Sequence, residues 1–246
     1  NKEFEYFFKK IFFTETYLLK RRLIRAYKKN YENELMILKK LVNRNLDTVD
    51  IGVYRGVYSY QLAKISRHVH SFEPNPLLYS YLNKNLTKII NNITLYNYAI
   101  SDESGEAELR IPKRGETLSK YNYEELYRLG CASIHKNNVF ESEIETFKVK
   151  TIKLDKILSG KMIGFIKIDV EGHEKNVITS AFQIIKQNKP NLLVEIEKRH
   201  SKVEVKNTIN FINDLGYKSF FADGKSLIST NELRNYNLKN NFIFIP

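Results

Sequence analysis

Cysteine is nearly missing from this 246-residue chain. Cys131 stands alone, which excludes an internal disulfide framework and fits a reducing compartment. Proline (five) and glycine (ten) are too scarce for a fibrous or disordered chain. The 42% of hydrophobic residues is enough for one large α/β domain, or a domain with an added helical element. No apolar run reaches the ~20 residues that a bilayer crossing needs, and no secretory pattern is seen. A cytoplasmic location is therefore expected.

Negative charge is also in deficit: 28 Asp and Glu face 40 Lys and Arg, a net charge of +12. Residues 1–30 carry nine Lys/Arg against three Glu, and nine minus three is half of that excess. A basic patch suits nucleic acid, an anionic membrane or an acidic substrate. A codon bias toward lysine, here 29 against 11 arginines, gives the same total without any patch.

Hydrophobic spacing predicts a helix over 3–29, with Phe4, Phe7, Phe8 and Ile11 on its apolar side, and another over 32–44. These form an expected helical extension, 1–45, ahead of a domain spanning 46–246. Strands at 47–51, 68–73 and 93–100 alternate with helices at 57–66 and 76–90, which signals a parallel sheet with helices on both faces. Strands at 105–112 and 145–154 bracket a tyrosine-rich segment, 113–140. Alternation resumes with strand 163–170, helix 174–187, strand 191–197 and helix 203–215, then strands near 217–221 and 242–245.

The segment VDIGVYRGVYS sets Asp50, Gly52 and Gly56 at a strand-to-helix turn. A dinucleotide loop would need a glycine where Tyr54 stands, so that pyrophosphate can approach the backbone. The spacing D-x-G-x-x-x-G instead suits a cofactor without phosphates, the strand acid lying near an ammonium group. Glu73 ends the next strand, where an acid accepts hydrogen bonds from ribose hydroxyls. Pro74 then stops the strand and Asn75 caps the following helix.

In FIKIDVEGHEKNVI, residues 165–178, an apolar strand carries Asp169 and releases Glu171, Gly172, His173 and Glu174. Carboxyl ends of parallel strands face the ligand crevice, so Asp169, Glu171, and Glu195 and Glu197 of the next strand are expected to converge there. Glu171 and His173 are the candidates for a general base. The plainer reading has Glu171 and Glu174 complementing a helix N-terminus, Glu174 capping it, and His173 on a helix surface. Asp155, Asp169, Glu171 and His173 would suit a hard cation, but their spacing does not require one, and no metal is expected. Tyr121, Tyr123 and Tyr127 offer aromatic faces to a sugar-like substrate from a loop that suits a lid.

The segments VDIGVYRGVYS, FEPNP, NYAISDESGEAEL, LDKI, IGFIKIDVEGHE and PNLLVEIE resemble, in order, the landmarks of the FkbM-type S-adenosylmethionine-dependent methyltransferases. The resemblance covers about residues 46–200 and departs at Val53-Tyr54, where that family commonly has Ala-Asn. It implies the class I methyltransferase fold: a Rossmann-like, mainly parallel seven-stranded sheet with helices on both faces and one reversed strand near an edge. It further implies S-adenosylmethionine as cofactor. Asp50, Gly52, Gly56 and Ser59 would lie toward its methionine end, Glu73 on its ribose with Asn75 beside it, and Ala99 and Ile100 at its adenine. Asp169 would lie near the transferring methyl, and Ser133 would touch substrate.

The reading expected on these grounds is an O-methyltransferase acting on a hydroxyl of a glycan or small metabolite. Its rivals are a non-catalytic scaffold on a degenerate methyltransferase fold, for which Tyr54 and Arg55 speak, and an RNA methyltransferase. No RNA-reading motif accompanies the charge, so nucleic acid is not an expected partner. For the N-terminal basic helix two partners stay open, a second copy of the chain and an anionic membrane surface.

Overall fold

A computed structural model of the chain describes residues 12–28, 33–112, 132, 134, 144–196, 202–233 and 239–246. The expected contributions of Phe4, Phe7, Phe8, Ile11, Tyr121, Tyr123, Tyr127, Ser133 and Glu197 lie outside these residues.

Strand β1 (Asp47–Ile51) is buried at all five positions. It pairs in parallel with β2 (Val69–Phe72) on one side and β7 (Ile163–Ile168) on the other. A parallel strand covered on both faces needs a continuous apolar run, and IGFIKI supplies one around a single lysine, Lys167. The large sheet continues outward from β2 to β3 (Ile93–Tyr96), and from β7 to β8 (Asn191–Glu195). Beyond β8 come β11 (Asn241–Ile245), β9 (Lys218–Asp223) and β10 (Ser226–Ser229). Its eight strands follow the order β10-β9-β11-β8-β7-β1-β2-β3, and β11 runs antiparallel to both neighbours. The seven expected strands are all there. The eighth, β10, folds back on β9 through Gly224 (φ +58°) and Lys225.

A second sheet of three strands, β4 (Ala99–Ile100), β6 (Ile144–Ile152) and β5 (Gly105–Pro112), stands apart from the first. This corrects the single strand expected over 93–100. After Tyr96, the Asn97 side chain donates to the carbonyls of Glu73 and Pro74, and Ala99 starts pairing with Thr151 instead. The expected 145–154 strand also stops early, at Ile152, because Leu154 opens a short helix, α5 (Leu154–Ile157).

The earlier described helices are α1 (Glu15–Lys28), α2 (Glu34–Leu41), α3 (Val57–Leu62) and α4 (Pro76–Asn85). The helices α6 (Glu174–Ser180), α7 (Phe182–Asn188) and α8 (Lys202–Asn213) follow β7 and β8. Pro76 starts α4, where its missing N–H costs nothing, and the Asn75 carboxamide accepts from the N–H groups of Leu77 and Leu78. The helix expected over 174–187 breaks at Ala181. Asp155 accepts the N–H groups of Gln183 and Ile184 there, giving α7 its own start.

The described residues of the expected N-terminal extension are continuous with the core. Leu35, Ile37, Leu38 and Leu41 of α2 pack with Val69, Phe165, Leu193 and Ile243 of the sheet, while Leu19 and Leu23 of α1 pack with Leu82, Leu86 and Leu95. No described helix is long and apolar enough to cross a membrane.

Candidate active site

At the carboxyl ends of β1, β2 and β7, a cleft opens toward the small sheet. It is lined by Gly52 and Tyr54 after β1, Glu73 and Pro74 after β2, and Asp169, Glu171 and His173 after β7, with Ala99, Ile100 and Leu109 opposite. Its empty space, counted to the open mouth, is about 610 Å³. Tyr54 (φ +49°) and Glu171 (φ +52°) are two of the three described non-glycine residues in the left-handed region, and both line this cleft. Strain of this kind persists where the surroundings impose it, and it concentrates at functional sites.

Gly52 explains how the two central loops meet. Its φ is +82°, and a Cβ placed on it would lie 1.9 Å from the Asp169 carbonyl oxygen. Only a residue without a side chain lets the β1 loop lie against the end of β7.

Glu73 is fully buried beneath the glycine loop. Its Oε2 accepts from the Tyr54 N–H (2.9 Å) and its Oε1 from the Asn75 N–H (2.9 Å). Burial pushes its pKa up to about 7 against the opposing pull of those two N–H groups. An ionised carboxylate accepts about four hydrogen bonds, so each oxygen keeps capacity for one more donor from the cleft.

A residue that ties two parts of the cleft lining together, Lys167, is absent from the expectations drawn from the sequence. Lys167 lies opposite Asp50 in the β1–β7 register, and its side chain is 5% exposed. Its ammonium donates to Asp169 Oδ2 (2.9 Å) and to the Gly52 carbonyl (3.0 Å), and stands 3.8 Å from Asp50 Oδ1. Burial works against its charge, but Asp169 and Asp50 outweigh burial and hold its pKa above the ordinary lysine value. Burial likewise pushes Asp50 up, against the pull of Lys167 and of the Ser59 hydroxyl. A lone lysine two residues before Asp169, hence on the same face of an otherwise apolar strand, was the available signal.

The other sequence candidates divide. Gly52, Glu73, Ala99, Ile100, Asp169, Glu171 and His173 line the cleft; Asp50, Gly56, Ser59, Asn75 and Glu195 do not. Asp50 is wholly buried behind the loop, where the Ser59 hydroxyl donates to it and also bonds Ser71 (2.8 Å). Gly56 (φ +77°) faces Leu86, 2.9 Å from where its Cβ would be, so it serves the packing of α3 on α4. Asn75 is engaged in capping α4. Glu195 ends β8, one strand beyond β7, and stays outside the lining. His173 is no helix-surface residue: it is the N-cap of α6, and its Nε2 lies 2.9 Å from the Ser101 hydroxyl. Glu174 does turn back as a cap, accepting the Gly172 N–H (2.8 Å).

Part of the cleft lining is thus apolar, formed by Pro74, Leu78, Ala99, Ile100 and Leu109, and it includes the Glu73 carboxylate. That combination fits a purine nucleoside whose ribose hydroxyls donate to Glu73. The same lining holds Asp169, Glu171 and His173.

A family model described as "Methyltransferase FkbM domain" matches residues 50–219. Among solved structures, a methyltransferase FkbM from Methylobacillus flagellatus superposes with a TM-score of 0.54 at 14% identity, over 83% of this chain and 44% of that one. The present chain therefore spans less than half the length of that relative. A SAM-dependent methyltransferase from Aquifex aeolicus aligns at a TM-score of 0.45 and 12% identity, over 95% of this chain and 98% of the other. A precorrin-6y C5,15-methyltransferase from Geobacter metallireducens aligns at 0.44 and 14%, over 87% and 85%. No curated protein matches the chain.

Proposed function

Because the chain belongs to the FkbM methyltransferase family, we propose that it transfers a methyl group from S-adenosylmethionine to a hydroxyl oxygen of a glycan or small metabolite. The observation that carries this reading is one cleft whose lining holds apolar residues beside the Glu73 carboxylate together with the acid–base groups Asp169, Glu171 and His173. S-adenosylmethionine, when bound, supplies a methyl group already activated on a sulfonium.

The protein's own residues then have two tasks, orientation and proton removal. Glu73 accepts the ribose hydroxyls. Asp169, fixed by Lys167, sets the wall against which the methionine end lies. The acceptor hydroxyl loses its proton as the new carbon–oxygen bond forms, and a cleft carboxylate or imidazole must receive it. Glu171 and His173 both line the cleft and are the candidates for that role.

Calorimetry with S-adenosylmethionine and labelled-methyl transfer to extracted glycans and hydroxylated metabolites test the reading together. A protein that binds no cofactor is a scaffold on a methyltransferase fold.

Two further results are expected. Glu73→Gln should weaken cofactor binding by about 1–3 kcal/mol, the cost of poorly matched buried hydroxyls. Wild-type affinity should also depend on pH, because the free carboxyl titrates at about 7 and the ribose donors favour its ionised form. Below that value binding must expel a proton, so Kd should rise about tenfold per pH unit on acidification and level off above it. The glutamine variant should lose this slope. Stability of the free protein runs the other way: it falls between pH 4.5 and about 7, where the unfolded chain ionises first.

Glu171→Gln should lower kcat by about 100-fold or more, the usual share of a general base, with an unchanged melting temperature. Normal turnover in that variant moves the role to His173. Asp169→Asn is a poorer probe, because it also breaks the ion pair to Lys167.

A further inference from the structure

Helix α1 is amphipathic twice over. Its inner face, Leu18, Leu19 and Leu23, is buried in the domain. Its outer face is not purely polar, as a solvated face would be. Phe13, just ahead of the helix, and Tyr17, Ile24 and Tyr27 stand 40, 44, 36 and 36% exposed. Tyr17, Ile24 and Tyr27, spaced by seven and three residues, lie on one side of the helix, and Phe13 extends that side through its contact with Tyr17.

Lys20, Arg21, Arg25 and Lys28 are exposed among them. Phe13 stacks on Tyr17 with ring centroids 4.9 Å apart, and the Arg21 guanidinium lies 5.9 Å from the centroid of the Tyr17 ring. Lys64 of the neighbouring turn lies 5.9 Å from the Tyr27 ring. Residues 12–28 hold five Lys/Arg and one acid, Glu15, which lies 3.4 Å from the Tyr81 hydroxyl on α4.

We propose that this outer stripe of α1 docks the protein on an anionic membrane surface. Phenylalanine and isoleucine gain nothing from phosphate or base edges, but they gain from entering an acyl boundary while the flanking cations meet headgroups. Tyrosine suits that boundary as well, its ring apolar and its hydroxyl wet. A second copy of the chain is the poorer occupant, since pairing two such faces brings like charges together. The inference is independent of methyl transfer and needs no cofactor.

The test is sedimentation of the full chain with vesicles of phosphatidylcholine alone or mixed with phosphatidylglycerol. Binding to the mixed vesicles is expected, falling about tenfold or more from low salt to ~0.5 M salt as the headgroup charge is screened. The variant Phe13→Ser/Tyr17→Ser/Ile24→Ser should lose vesicle binding while still unfolding cooperatively at a somewhat lower temperature, since the three side chains are only 36–44% exposed. Arg21→Glu/Arg25→Glu should lose it as well. Indifference to anionic vesicles, equal binding to neutral ones, full retention by the serine variant, or a dimer in light scattering that the serine variant abolishes would each overturn the proposal.

Discussion

Replacing Lys167 with methionine should destabilise the protein by about 3–5 kcal/mol, the usual cost of removing one partner from a buried ion pair. The reason is what stays behind. Asp50 is wholly buried, and without the ammonium it faces Asp169 with Ser59, through its hydroxyl and its backbone N–H, left to stabilise its charge. The Gly52 carbonyl also loses its lysine donor, so the glycine loop and the end of β7 are no longer joined through a side chain. Urea unfolding measures the loss. The double variant Lys167→Met/Asp50→Asn should recover part of it, because the charge left uncompensated is then gone.

The sign of the pH response follows from the same geometry. In the single variant the Asp50 carboxyl has lost its cation and its pKa rises further above the unfolded value. Stability that is present at low pH should therefore be lost as pH rises through that value, and the deficit relative to wild type should shrink on acidification. A methionine variant as stable as wild type at neutral pH would mean that the two carboxylates are solvated in some other way.

Gly52→Ala should be nearly as damaging, and for a different reason. The new Cβ would sit 1.9 Å from a backbone carbonyl oxygen, that of Asp169, which cannot rotate away as a side chain would. The φ of +82° adds strain of its own for any residue with a Cβ. Either the glycine loop lifts from β7 or β7 shifts, and both movements open the cleft between Gly52, Glu73 and Asp169. Stability should fall by about 3 kcal/mol or more, and cofactor affinity by about 100-fold. Gly160→Ala provides the control. Its φ is +75°, but nothing lies within 4 Å of the added carbon, so it should cost only the backbone strain, about 1 kcal/mol, and leave binding intact. Equal effects at the two positions would show that close loop contact is not what holds the cleft.

Local pattern determined much of this protein by itself. Short strand-like segments alternating with helical ones made β1, β2, β3, β7 and β8 legible, with their parallel order implied by the intervening helices. Helix starts were legible where a side chain advertises them, as Asn75-Pro76 does. Residues at strand ends were legible as a set, and Gly52, Glu73, Asp169, Glu171 and His173 do meet in one cleft.

Tertiary structure alone decided the rest, because the deciding partners are distant in sequence. Whether Tyr96 to Ile100 forms one strand or two depends on Thr151, more than fifty residues away. Gly52 and Gly56 share a motif, yet one faces a carbonyl across the sheet and the other faces Leu86, so only the packing separates the loop contact from the helix contact. Asp50 read as a ligand contact from its motif, but the register that sets Lys167 opposite it, together with Ser59 and Ser71, makes it a buried anchor for the lysine. A sequence records which groups are charged. Burial and pairing, set by residues more than a hundred positions apart, decide whether such a charge faces a ligand or supports the residues that do.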